Sequence, residues 1–135
     1  MISDNADNLY QQVILEEAKY PKNFGELTGL QIIKAERNIS CGDKITVGMK
    51  LSADGKKIDE VKWQGSGCAI STAAMSVLSE MIKGMSIKQV LGLKSEALLA
   101  QLGLTQISSM RLKCLSLGLM TVKRALALEL TKEKR

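Results

Sequence analysis

Three cysteines and one aspartate carry the chemistry this sequence offers. Cys41 precedes Gly42 and Asp43, Cys68 follows Gly65-Ser66-Gly67, and Cys114 follows Arg111-Leu112-Lys113. Histidine is absent. That excludes an imidazole base, Ser-His-Asp and Cys-His arrangements, and any His-ligated metal site. From Cys41 to Cys68 is 27 residues, and from Cys68 to Cys114 is 46. These separations are far longer than the CxxC pairs of zinc ribbons, so only folding could unite the three. United, three thiolates and the Asp43 carboxylate make four ligands. That donor set suits tetrahedral zinc or a [2Fe–2S] cluster. A carboxylate oxygen is a harder, weaker partner for a cluster than a fourth thiolate. A site completed by Asp43 is therefore suited to releasing its cluster. A lone cysteine is ordinarily a small buried hydrophobe; here all three fall at expected element boundaries, two beside glycine. Lys44 and Lys113 flank the ligands and would offset their negative charge.

The elements that must position these residues follow from pattern. Leu9, Val13 and Ile14 mark one face of a first helix that ends before Pro21. Tyr20-Pro21-Lys22-Asn23-Phe24-Gly25 then reads as a turn. Three strands are expected: Leu30 to Arg37, Lys44 to Leu51 and Lys57 to Gln64. In the second, Ile45, Val47, Met49 and Leu51 alternate with polar residues. Asp54-Gly55 signals a hairpin, so the strands form an antiparallel meander. After Gly67 the period becomes helical. A helix is expected over Cys68 to Lys83, capped by Gly84. Ser86 and Ser95 are expected N-caps of two shorter helices, the second ended by Gly103. Cys114 to Leu130 is expected as the longest helix. Its stripe of Leu115, Leu119, Val122 and Leu126 is widened by Leu117, Gly118, Thr121, Ala125 and Leu128. Opening helices in this way, Cys68 and Cys114 would lean towards thiolate through free N–H groups and the helix dipole. Helix, three strands, then helices is an α+β order: a three-stranded antiparallel sheet packed against four to five helices.

Composition narrows the class further. The 135 residues suit a single domain, 1–135. Hydrophobic residues make up 45%, but only four are aromatic, so aliphatic side chains must fill the core. Residues 1–80 hold nine Lys/Arg against eleven Asp/Glu, and residues 81–135 hold ten against three. A basic half can meet an acidic protein or a phosphate backbone. The aromatic platforms of single-strand binders are missing, which argues against nucleic acid. Residues 1–7 do not read as a signal peptide, and the uncharged run from Trp63 to Ser79 is too polar for a membrane span. An odd cysteine count and no sign of export imply a cytoplasmic protein with reduced thiols.

Four blocks of this sequence, in order, resemble one known family. Tyr20-Pro21-Lys22-Asn23-Phe24-Gly25 is similar to its Asn-Pro-Arg-Asn-x-Gly turn, and Cys41-Gly42-Asp43 to its Cys-Gly-Asp. Gly65-Ser66-Gly67-Cys68-Ala69-Ile70-Ser71 is similar to its second cysteine block, and Arg111-Leu112-Lys113-Cys114 to its third. The family is the U-type iron–sulfur cluster assembly proteins: IscU, SufU and the N-terminal domain of NifU. The likeness runs over roughly residues 8–130. It implies that Cys41, Asp43, Cys68 and Cys114 share one site, holding zinc or a [2Fe–2S] cluster. It also implies sulfur delivery from a PLP-dependent cysteine desulfurase and recipients among apo iron–sulfur proteins. By position, Cys41 would accept persulfide sulfur in the zinc-type branch and Cys114 in the scaffold branch. The protein would then be a scaffold or sulfur-transfer accessory rather than an enzyme. Two features depart from the scaffold branch. Lys113 stands where that branch has histidine, and Ile107-Ser108-Ser109-Met110-Arg111 lacks the prolines of its Leu-Pro-Pro-Val-Lys segment, which binds an Hsp70-type chaperone. The zinc-type branch carries an insertion that the 45 residues between Cys68 and Cys114 are too few to contain. A zinc-stabilised interaction module without sulfur chemistry is the alternative reading of the same four ligands.

Overall fold

A computed structural model describes residues 12–38, 42–104 and 107–133. Residues 12–19 form helix α1. Strands β1 (Ile32–Asn38), β2 (Asp43–Leu51) and β3 (Ile58–Ser66) follow, then helices α2 (Ala69–Met81), α3 (Ile87–Leu91), α4 (Ser95–Leu102) and α5 (Ser109–Glu133). The sheet is antiparallel throughout, in the order β1-β2-β3. Thus the expected α+β architecture, one three-stranded sheet with five helices, is the one found.

The alternation in β2 decides which face is inside. Ile45, Val47, Met49 and Leu51 are buried, while Lys44 and Lys50 are exposed. Helices α2 and α5 cover the inner face, α5 against β1 and β2 and α2 against β3. They meet each other through Met75 and Gly118, where a Cβ on the glycine would stand 2.5 Å from the Met75 sulfur. Side chains of the buried aliphatic stripe, such as Leu78, Leu119, Val122 and Leu126, each contribute about 1.5–3 kcal/mol by leaving water. The hairpin at Asp54-Gly55 is present, with Gly55 left-handed at φ 72 and Asp54 accepting from Ser52 Oγ and the Lys56 N–H.

The turn after α1 acts as a clasp. Trp63 donates its indole N–H to the Lys22 carbonyl at 2.9 Å, and the Phe24 ring meets Trp63 edge-on at 4.9 Å. Lys22 N–H donates to Ser76 Oγ, which in turn donates to Glu17. Asn23 donates to Ser79 Oγ and to Glu80. One short segment thereby ties α1 to β3 and α2.

Boundaries differ from the expected ones where local hydrogen bonds outrank hydrophobic period. Helix α5 opens at Ser109, not Cys114. The Ser108 hydroxyl accepts from the Arg111 N–H and its carbonyl from the Leu112 N–H, which starts the helix five residues earlier. Lys94, not Ser95, flanks α4, and Ser95 instead shares a hydrogen bond with Ser116 on α5. Helix α2 ends at Met81 with Ile82 as its cap, and left-handed Gly84 turns the chain afterwards. Strand β3 runs on to Ser66 because Lys44 still pairs with it. Leu128 is 53% exposed, so it does not widen the α5 core stripe. Ser86 does cap α3, in a full capping box with Gln89, and left-handed Gly103 ends α4. Leu9 lies outside the described residues.

Candidate metal centre

Asp43, Cys68 and Cys114 come together at one end of the sheet. One ligand atom from each, a carboxylate oxygen and two sulfurs, lies within 4.8 Å of the other two. Three separate elements place them. Asp43 is the first residue of β2 and only 2% exposed. Cys68 sits between the end of β3 and the start of α2, as the N-cap of that helix. Cys114 lies in the second turn of α5 and is 4% exposed.

The local bonding explains why Cys68 turns inward. Its sulfur accepts from the Ser71 N–H at 3.4 Å, the cap interaction a serine would make, and its own N–H donates to Asp43 Oδ1 at 3.1 Å. The backbone of a half-buried cysteine at the head of a helix is thus bonded directly to a buried carboxylate. Gly67 makes this approach possible. A Cβ there would lie 2.6 Å from Asp43 Oδ1 and 2.8 Å from Ser71 Oγ, so any side chain would push the carboxylate out of place. Ser71 thus borders the site through both its N–H and its hydroxyl.

Cys41, the remaining expected ligand, lies outside the described residues. Its successor Gly42 is left-handed at φ 74, and the Gly42 N–H donates to the Asn38 carbonyl at 2.8 Å. Asn38 and Asp43, on either side of the β1–β2 connection, pair directly in the sheet. Because α5 opens at Ser109, Cys114 is not at a free helix end, so the expected effect of the helix dipole does not apply to it. Lys44 and Lys113 are both exposed beside the cluster.

The donor set is the right kind for a metal. Two sulfurs bound at about 2.3 Å to a tetrahedral zinc stand about 3.8 Å apart, so ligand atoms within 4.8 Å of one another have at most about 1 Å to close. Soft thiolates with one carboxylate favour zinc or iron–sulfur chemistry over calcium or magnesium. No other group of three His, Cys, Asp or Glu ligands of this kind occurs among the described residues. No helix among them is long and apolar enough to cross a membrane.

Comparison with known proteins agrees with this geometry. The profile of the NifU-like N-terminal domain matches residues 9–135. The zinc-dependent sulfurtransferase SufU of Bacillus subtilis is 40% identical over 89 residues, 66% of this chain and 58% of that protein. The iron–sulfur cluster assembly scaffold protein IscU of Thermotoga maritima is 37% identical over 89 residues, 66% of this chain and 61% of that protein. The chain therefore spans about three fifths of the length of these curated relatives. Among solved structures, a candidate iron–sulfur cluster assembly scaffold of the SUF system from Fervidobacterium islandicum superposes with a TM-score of 0.71. The identity is 28%, covering 85% of this chain and 94% of that one.

Proposed function

The chain belongs to the NifU-like N-terminal domain family, and on that premise we propose that it accepts sulfur from a cysteine desulfurase and holds or relays it for [2Fe–2S] assembly. In this reading residues 1–135 act as one scaffold domain, and Cys41, Asp43, Cys68 and Cys114 form its site. The observation that carries the proposal is the convergence of Asp43, Cys68 and Cys114 from three distant parts of the chain.

The chemistry needed is thiolate attack on a persulfide. A thiolate of this chain bonds to the outer sulfur of the desulfurase persulfide, and the desulfurase cysteine leaves as its own thiolate. A bound zinc ion or cluster would be held by the same four ligands; zinc supplies charge that keeps thiols deprotonated. Three thiolates and a carboxylate exceed the charge of one divalent ion, and Lys44 and Lys113 at the rim offset part of the excess. The burial of Cys114 argues against it as the first acceptor, because a partner protein must reach the attacked sulfur. Cys41 is therefore the acceptor in this proposal, with Cys68 and Cys114 as retaining ligands. The cognate desulfurase and recipient apo iron–sulfur proteins are the partners it requires, working in the cytoplasm.

Zinc, iron and acid-labile sulfide measured in protein purified without oxygen test the resident species. Zinc without sulfide is expected for a relay, and iron with matching sulfide for a cluster-holding scaffold. A sulfur-transfer assay tests the role itself. Cys41→Ser is expected to abolish acceptance and Cys114→Ser to leave most of it. Normal acceptance by all three single Cys→Ser variants would remove sulfur transfer from the proposal.

A further inference from the structure

On the face of the sheet turned away from α2 and α5, the side chains run in rows across the three strands. Arg37, Lys44 and Ser66 form the row nearest the metal centre, since Arg37 pairs with Lys44 and Lys44 with Ser66. Directly paired residues project to the same side, a few ångströms apart. An arginine opposite a lysine is repulsive, and a carboxylate ordinarily answers such a cation. Here none does. Neither Arg37 nor Lys44 forms an ion pair among the described residues.

The acids nearby are committed elsewhere. Glu36 projects to the inner face and holds Arg124 at 2.7 Å. Asp43 also turns inward, to the Cys68 N–H. The next rows of the outer face, Ala35-Thr46-Gln64 and Ile33-Gly48-Lys62, contain no acid. Leu27 and Leu30 fold over Gly48 and cover the far part of this face, leaving the Arg37-Lys44-Ser66 end open. That end is concave. A cavity of about 280 Å³ is lined by Arg37, Asn38, Gly42, Lys44 and Ser66.

We propose that this cavity is an oxyanion site, taking a single phosphate or carboxylate group of a small molecule between the Arg37 guanidinium and the Lys44 ammonium. The guanidinium offers a planar fork of donors, the ammonium a point charge, and Ser66 a hydroxyl. The volume falls just under the roughly 300–1,000 Å³ of pockets for drug-sized ligands, so it suits a small anion rather than a nucleotide. Bound there, the anion relieves the Arg37–Lys44 repulsion. Asp43, Cys68 and Cys114 do not line it, and anion binding there needs no sulfur chemistry.

Amide NMR of the full chain tests this, with inorganic phosphate titrated at constant ionic strength against chloride. Saturable shifts at Gly42, Lys44 and Ser66 are expected. In Arg37→Gln/Lys44→Gln the affinity is expected to fall at least tenfold, while Lys62→Gln, two rows away, keeps it. Glutarate in a parallel titration separates the sources: tighter glutarate assigns a carboxylate ligand, and tighter phosphate assigns a phosphoryl one. Shifts that never saturate, that chloride reproduces, or that survive in the double variant overturn the site. An equal loss in Lys62→Gln does so too, because it would show a diffuse field rather than a pocket.

Discussion

Gly67 carries more of the centre than its lack of a side chain suggests. It allows the Asp43 carboxylate to reach the Cys68 N–H while Ser71 closes in from α2. Gly67→Ala is therefore expected to displace Asp43 and weaken zinc binding about 10–100-fold, the usual cost of disturbing the groups behind a metal ligand. Chelator competition reads the affinity, and circular dichroism checks that the fold is kept. Unchanged affinity would mean that the carboxylate yields without leaving the site. The cysteines and Asp43 were legible as candidates from residue type alone. Ser71 was not, because a serine in a helix has no signal until its neighbours are in place.

Among the elements, the turn joining α1 to the sheet is the most dependent on side-chain hydrogen bonds. Asn23 sits at φ 61, a region that asparagine tolerates better than most residues, and donates to both Ser79 and Glu80. That bond, with help from Lys83 and Lys22, holds the Glu80 carboxyl below its ordinary 4.5. A depressed carboxylate contributes its stability above the ordinary value and loses it as pH falls through the lowered one. Asn23→Ala is expected to raise Glu80 towards 4.5 in a carboxyl NMR titration. The same variant should lose about 1–3 kcal/mol of stability in denaturant melts at neutral pH, through the lost hydrogen bonds to Ser79 and Glu80 and the left-handed backbone. A Glu80 titration that does not move would place the shift on the lysines instead. The turn itself could be read from Tyr20-Pro21-Lys22-Asn23-Phe24-Gly25, but its grip on Trp63, Ser76 and Ser79 could not. Those partners lie 41 to 56 residues away.

At the scale of the whole molecule, the core and the metal centre are separable. Buried residues from all three strands and the helices form one continuous cluster that does not need the ligands to assemble. Domains that fold only with zinc lack such a core. Chelation is thus expected to leave the far-ultraviolet circular dichroism intact. It should lower the melting temperature by roughly 10 °C relative to protein with free zinc about 100-fold above Kd. Collapse of the helical signal on chelation would instead mark a fold held by its metal, as the zinc-module reading requires.

Local chemistry determined much of this protein in advance. Alternation in β2, the Asp54-Gly55 hairpin, the Ser86 capping box and the absence of histidine each act within a few residues, so the α+β order and the soft, thiol-based donor set are written along the chain. Tertiary structure alone decided the rest. The opening of α5 at Ser109 was chosen by the Ser108 cap against the hydrophobic period. The meeting of Asp43, Cys68 and Cys114 depends on how β2, β3 and α5 pack. The Arg37-Lys44-Ser66 row depends on strand register, which sets two cations side by side with no ion pair to either among the described residues. Contacts between residues tens of positions apart arise from packing free energy summed over the whole core, and no short stretch of sequence holds that sum.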